Sequence, residues 1–123
     1  MKPKVLIVDD EADFRQLLEY NLTRQDFEVF TAGNGLEALN LTRRVRLDVI
    51  LLDLMLPDFD GFSLYQRLRV EPHTSKIPVI IISALGGQTI LARSIELGVA
   101  SYLRKPVNLR LLGDHIRAAF ERQ

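Results

Sequence analysis

Three short runs, Val5-Leu6-Ile7-Val8, Val49-Ile50-Leu51-Leu52 and Val79-Ile80-Ile81-Ile82, constrain the fold more than any other feature of this chain. Each is apolar at every position and rich in β-branched residues. A strand with one wet face alternates polar and apolar residues, whereas an uninterrupted run suits a strand covered on both faces, as inside a parallel sheet. Glu28 to Ala32, with Val29 and Phe30, and Ala100 to Leu103 are weaker strand candidates. The segments between them have helical spacing. Phe14, Leu17, Leu18 and Leu22 predict one apolar stripe, and Leu109, Leu112, Ile116 and Ala119 predict another. Leu36, Leu39 and Leu41 mark a third helix, Phe62 to Val70 a fourth, and Thr89 to Leu97 a fifth that Gly98 is placed to end. Pro78 suits the beginning of a strand.

Strictly alternating strands and helices imply an α/β fold with a parallel sheet and right-handed crossovers. Five strands in 123 residues point to a flavodoxin-like doubly wound sheet, strand order 2-1-3-4-5, with five helices. The length fits a single domain over residues 1–123, which also reads as the N-terminal part of a longer protein. Without cysteine, disulfides and thiolate metal sites are excluded. The 16 basic and 16 acidic residues cancel, so no global charge draws the chain to nucleic acid or a membrane. No apolar run approaches the ~20 residues of a transmembrane helix, and no signal peptide is recognisable. The sequence therefore predicts a cytoplasmic domain.

Open parallel sheets place ligands at the carboxyl ends of their strands. Asp9 and Asp10 follow the first run, with Glu11 and Asp13 close behind; Asp53 follows the third strand, Ser83 the fourth, and Lys105-Pro106 the fifth. At ~4 Å and an effective dielectric near 20, each like-charged pair costs on the order of 4 kcal/mol. One lysine cannot neutralise Asp9, Asp10 and Asp53 together. The site either raises a carboxylate pKa and holds a proton, or binds a hard cation through oxygen. With no Cys or His at these strand ends, Mg²⁺ is the natural cation. A carboxylate, a metal, a hydroxyl and a lysine together suit phosphoryl transfer.

Asp9-Asp10, the stretch Leu52-Asp53-Leu54-Met55-Leu56-Pro57 with Gly61 after it, Ser83-Ala84 and Lys105-Pro106 resemble the signature positions of response-regulator receiver domains, the chemotaxis-regulator-like fold of two-component signalling. The resemblance spans essentially the whole chain, with the signatures in the right order and spacing. It implies that Asp53 accepts a phosphoryl group from a sensor histidine kinase or phosphotransfer protein. It implies that Asp10 binds Mg²⁺ directly, Asp9 largely through water, and that Asp53 and the Met55 backbone carbonyl complete the protein ligands. Ser83 would donate to a phosphoryl oxygen, where the family most often has threonine. Lys105 would pair with the phosphoryl group, and its bond to Pro106 is expected to be cis. Tyr102 falls at the aromatic switch position. The expected output is a shift in the surface of the fourth helix, fifth strand and fifth helix, read by an output domain, a partner protein or a phosphorylation-dependent homodimer. Such a domain catalyses only its own phosphorylation and dephosphorylation. Ala100-Ser101 departs from the acidic pair that many transcription-factor receivers use in dimerisation, and Gly86-Gly87 makes the loop after Ser83 free to move.

Plainer roles compete for some of these residues. Asp9, Asp10 and Asp13 are also suited to the start of a helix, and Tyr102 to a half-buried place in a strand. His73, His115 and the Arg43, Arg44, Arg46 group read as solvated. A dinucleotide site would want glycines where Asp9-Asp10-Glu11 stand, and those carboxylates would repel a flavin phosphate. A haloacid-dehalogenase-type phosphatase usually has a second Asp where this chain has Met55. The alternatives carried forward are a metal-dependent aspartyl-phosphate phosphohydrolase and a receiver-like interaction module that is never phosphorylated.

Overall fold

The structure, a computed structural model, describes residues 1–121. The strands are β1 (Lys4–Val8), β2 (Glu28–Ala32), β3 (Val49–Leu52), β4 (Val79–Ser83) and β5 (Ser101–Arg104). The helices are α1 (Ala12–Arg24), α2 (Gly35–Arg44), α3 (Gly61–Val70), α4 (Gln88–Leu97) and α5 (Leu109–Glu121). All strand pairings are parallel and the order is β2-β1-β3-β4-β5. This is the flavodoxin-like arrangement that the alternating pattern predicts. Gly98 ends α4 in a left-handed conformation, φ 80°, which glycine adopts without a Cβ penalty.

The continuous apolar runs serve two cores. Leu6, Val8, Ile50, Leu52, Val79 and Ile81 point to one face and pack with α2 and α3 residues such as Leu39, Leu64 and Leu68. Val5, Ile7, Val49, Leu51, Ile80 and Ile82 point to the other and pack with Leu18 and Leu22 of α1 and Leu112 and Ile116 of α5. One stripe differs from its expected form. Leu18 and Leu22 are buried and Phe14 packs against the core, but Leu17 is 46 % exposed. The sheet covers a narrower arc of α1 than the four-residue spacing implies, and Leu17 falls outside that arc.

The strand register sets up the site. Val8 lies opposite both Ala32 and Leu52, and Leu52 opposite Ile81, so Asp9 and Asp53 leave adjacent strands at the same level. The ladder continues one step past the strands: the Asp9 N–H donates to the Ala32 carbonyl, Asp53 N–H to Val8, and Lys105 N–H to Ser83. Because side chains alternate, Asp9 and Asp53 extend the Val5-Ile7 and Val49-Leu51 rows onto the α1/α5 side.

The two burial classes make opposite predictions. Ile80→Ala, at a fully buried position, should lower unfolding free energy by about 2–5 kcal/mol in urea denaturation. Leu17→Ala should change it by less than about 0.5 kcal/mol; equal losses would restore Leu17 to the core.

Candidate metal and phosphoryl-acceptor site

Lys105, at the end of β5, reaches across the carboxyl edge of the sheet. Its Nζ lies 2.8 Å from Asp9 Oδ2, 2.8 Å from Glu11 Oε1 and 3.0 Å from Asp53 Oδ2. Each of its three donors thus has a carboxylate, and the ammonium sits 4.3 Å from the centre of the Phe14 ring. The Lys105-Pro106 peptide is cis, as expected. Asp9 is 2 % exposed and Asp53 5 %. The Glu11 N–H holds Asp9 Oδ1 at 2.8 Å and the Met55 N–H holds Asp53 Oδ1 at 3.0 Å, so both oxygens of both carboxylates are oriented.

Asp10 is exposed, and its carboxylate can be grouped with those of Asp9 and Asp53 so that one oxygen of each lies within 4.8 Å of the others. This all-oxygen donor set, partly neutralised by one ammonium, fits a hard divalent cation. Burial lifts the Asp9 carboxyl above its ordinary value; Asp53 adds to the rise, while Lys105 and the Glu11 N–H oppose it. Burial acts to lower the Lys105 ammonium, but its bonds to Asp9, Glu11 and Asp53 prevail and push it well above its ordinary 10.5. The Lys105 ammonium therefore stays charged in the fold well past its ordinary value, and on the alkaline side its contribution to stability is lost only in strong alkali.

Ser83 is fully buried at the end of β4, and its Oγ accepts the Leu85 N–H at 3.2 Å. Gly87, beyond it, has φ 99°, and Gly86 lies close under the Arg104 guanidinium. Tyr102 is half-buried against the α2/α3 core, and its hydroxyl is out of solvent with no hydrogen-bond partner among the described residues. Burial raises this hydroxyl's pKa against the opposing charge of Arg104. Met55 is exposed in the β3–α3 loop. A helix-start role for Asp10 gains no support, since the residue flanking α1 is Glu11, which makes no side-chain cap bond. Asp13 lies in the first turn of α1, where its charge suits the helix dipole.

Glu11, Phe14 and Arg15 join the site although the sequence marked none of them for it, Phe14 having been expected only in the apolar stripe of the first helix. Glu11 is the third partner of Lys105, Phe14 supplies the ring beneath it, and Arg15 Nη1 donates to the Asp9 carbonyl at 2.6 Å. Their only sequence signal is proximity to Asp9-Asp10 in the first turn of α1. His73 and His115 are exposed; His73 lies 3.5 Å from Glu71, which also pairs with Arg43. A groove of about 910 Å³ lined by Arg43, Arg44, Arg46, His73 and Lys76 lies near the opposite end of the strands and contains no site residue.

Residues 5–117 match the family model of the response regulator receiver domain. The chain belongs to this family. It is 41 % identical over 121 residues to a probable transcriptional regulator, ycf27, of Guillardia theta, covering 98 % of this chain and 46 % of that protein. It is 38 % identical over 120 residues to the transcriptional regulatory protein AfsQ1 of Streptomyces coelicolor, covering 98 % and 52 %. The chain thus spans about half the length of these relatives. Among solved structures, the receiver domain of Francisella response regulator 1452 superposes with a TM-score of 0.90 at 32 % identity, covering 98 % of each chain. The Vibrio cholerae chemotaxis protein CheY4 gives 0.90 at 28 %, covering 97 % of this chain and 99 % of that one. The chain is a receiver domain of the two-component response-regulator type, a family of signalling switches. No described helix is long and apolar enough to cross a membrane.

Removing the ammonium tests the electrostatics of this receiver domain. Lys105→Met leaves buried Asp9 and Asp53 without their cation and should cost about 3 kcal/mol at neutral pH. Losing the ammonium leaves burial unopposed by it at the Asp9 carboxyl, which already lies above its ordinary value, so folding takes up a proton there and the deficit should shrink as pH falls through the carboxylate range. Denaturant unfolding across pH checks this; a deficit independent of pH would contradict it.

Proposed function

We propose that this receiver domain accepts a phosphoryl group on Asp53, with Mg²⁺ held by Asp9, Asp10, Asp53 and the Met55 backbone carbonyl. The observation that carries the reading is the Asp53 carboxylate itself, which is buried at a strand end, bonded to Lys105 through Oδ2 and fixed by the Met55 N–H through Oδ1. Bound Mg²⁺ supplies charge neutralisation for the carboxylates and for the phosphoryl oxygens. The chain's own residues do the rest. An Asp53 oxygen forms a bond to phosphorus while the phosphorus–nitrogen bond of a kinase phosphohistidine breaks, and the electron pair leaves on the imidazole. Lys105 is placed to exchange its bond to Asp53 for one to a phosphoryl oxygen, keeping a cation beside the transferred charge. Ser83, on the neighbouring strand, donates its hydroxyl to another phosphoryl oxygen.

The same movement supplies the switch. For Ser83 to reach the phosphoryl group, its Oγ gives up the Leu85 N–H, and Gly86-Gly87 take up the backbone change. The unpaired Tyr102 hydroxyl supports a second state, because an unsatisfied buried group costs about 1–3 kcal/mol, comparable to the gap a phosphoryl group has to overturn. The α4, β5 and α5 surface then changes for an output domain, a partner protein or a second copy. Sensor histidine kinases and phosphotransfer proteins are the donors this reading requires, and cytoplasmic placement accords with it. The phosphohydrolase alternative lacks a second carboxylate at position 55, and no observation favours a module that is never phosphorylated.

Incubation with Mg²⁺ and acetyl phosphate should add one phosphoryl group by intact mass, and Asp53→Asn should abolish the addition. Equal labelling of the Asn variant would move the acceptor elsewhere.

A further inference from the structure

We propose that Asp58 is a positioning residue for the metal site, holding the β3–α3 loop, and with it the Met55 carbonyl, against the N-terminus of α2. The inference rests on the reading of Met55 as a metal ligand. Asp58 lies in the loop between β3 and α3, and each of its carboxylate oxygens also reaches outside that loop: Oδ1 accepts the Gly35 N–H at 2.8 Å and Oδ2 the Leu36 N–H at 3.0 Å. Burial works to raise the Asp58 carboxyl, but these N–H groups and those of Asp58 and Phe59 prevail and hold it below its ordinary value.

The helix has separate caps of its own. Asn34 Oδ1 accepts the Glu37 N–H at 2.9 Å, and Glu37 Oε1 accepts the Gly33 N–H at 2.8 Å. Asp58 takes the two remaining first-turn donors and joins segments 23 residues apart. Phe59 completes the contact. A Cβ on Gly35 would lie 2.2 Å from its ring, so the ring packs directly on the α2 backbone at a place no other residue leaves open.

The held segment is the one that needs a defined position. Met55 follows Asp53 by two residues, and its N–H already orients that carboxylate. The two ends of the loop are tied to each other by the Met55–Asp60 bridge and by the Gly61 N–H on the Leu54 carbonyl. Asp58 and Phe59 lie within the segment that both ties close, and join it to the helix. A carbonyl ligand has no rotamer freedom, so its place is set wholly by its backbone. Partners that orient metal ligands indirectly change metal affinity when they are lost.

The test separates a positioning role from plain helix stabilisation. Mg²⁺ binding is measured by calorimetry on the whole chain, and amide exchange is measured without metal. Asp58→Ala should weaken Mg²⁺ by about tenfold and speed exchange across residues 54–60. Asp58→Asn, which keeps one acceptor oxygen, should fall between it and the wild type. Gly35→Ala, which pushes the Phe59 ring off the helix, should also weaken Mg²⁺ and speed exchange across residues 54–60. Asn34→Ala removes a cap unconnected to the loop and should lower the melting temperature while leaving Mg²⁺ affinity unchanged. Unchanged affinity and exchange in Asp58→Ala, or an equal Mg²⁺ loss in Asn34→Ala, overturns the positioning role and leaves the metal site standing. A wild-type chain that takes up no Mg²⁺ overturns both.

Discussion

Asp9, Asp10 and Asp53 can bring oxygens within 4.8 Å of one another at the carboxyl edge of the sheet. Like charges at such separations repel by several kcal/mol per pair at a protein-like dielectric. Much of the surrounding structure answers that repulsion. Lys105 crosses from β5 to place one ammonium among Asp9, Glu11 and Asp53, backbone N–H groups fix the outer oxygens, and Phe14 offers its ring face to the same ammonium. The balance is incomplete, since one cation faces these carboxylates and Asp10 besides. A site left short of positive charge is suited to a divalent ion.

The cluster exists because of the sheet rather than any local motif. Residues 9, 53 and 105 meet only because β1 and β3 run side by side in register and β5 lies on the same side of them as β4. Alternation then sends Asp9 and Asp53 to the face that carries α1 and α5. The rigid part of the site is accordingly built on strand ends, where both neighbouring cores are fully packed. Ser83, at the end of β4, is fully buried, and the Tyr102 hydroxyl nearby in β5 is out of solvent with no partner among the described residues.

Much of this was legible in the chain. Three runs without alternation read as covered strands, two weaker segments completed the strand-helix alternation, and the residues after the first, third, fourth and fifth strands, Asp9, Asp53, Ser83 and Lys105, were thereby marked as neighbours. The details set by surface geometry were not legible. Leu17 has core spacing but faces solvent, because spacing does not say how wide an arc of α1 the sheet covers. Glu11 and Arg15 take part through the direction in which α1 leaves the sheet, and Asp58 through a loop folding back on a distant helix. No periodicity encodes such long-range polar contacts.

The central claim is that these strand-end carboxylates form one divalent-cation site. Titration with Mg²⁺, followed by ¹³C NMR of carboxyl and carbonyl carbons, tests it most directly. The account predicts that the Asp9, Asp10 and Asp53 carboxyls and the Met55 carbonyl shift together along one saturating curve, while Asp13 and Asp48 stay still. Small unsaturating shifts spread over Asp13, Asp48 and the other surface acids would contradict it.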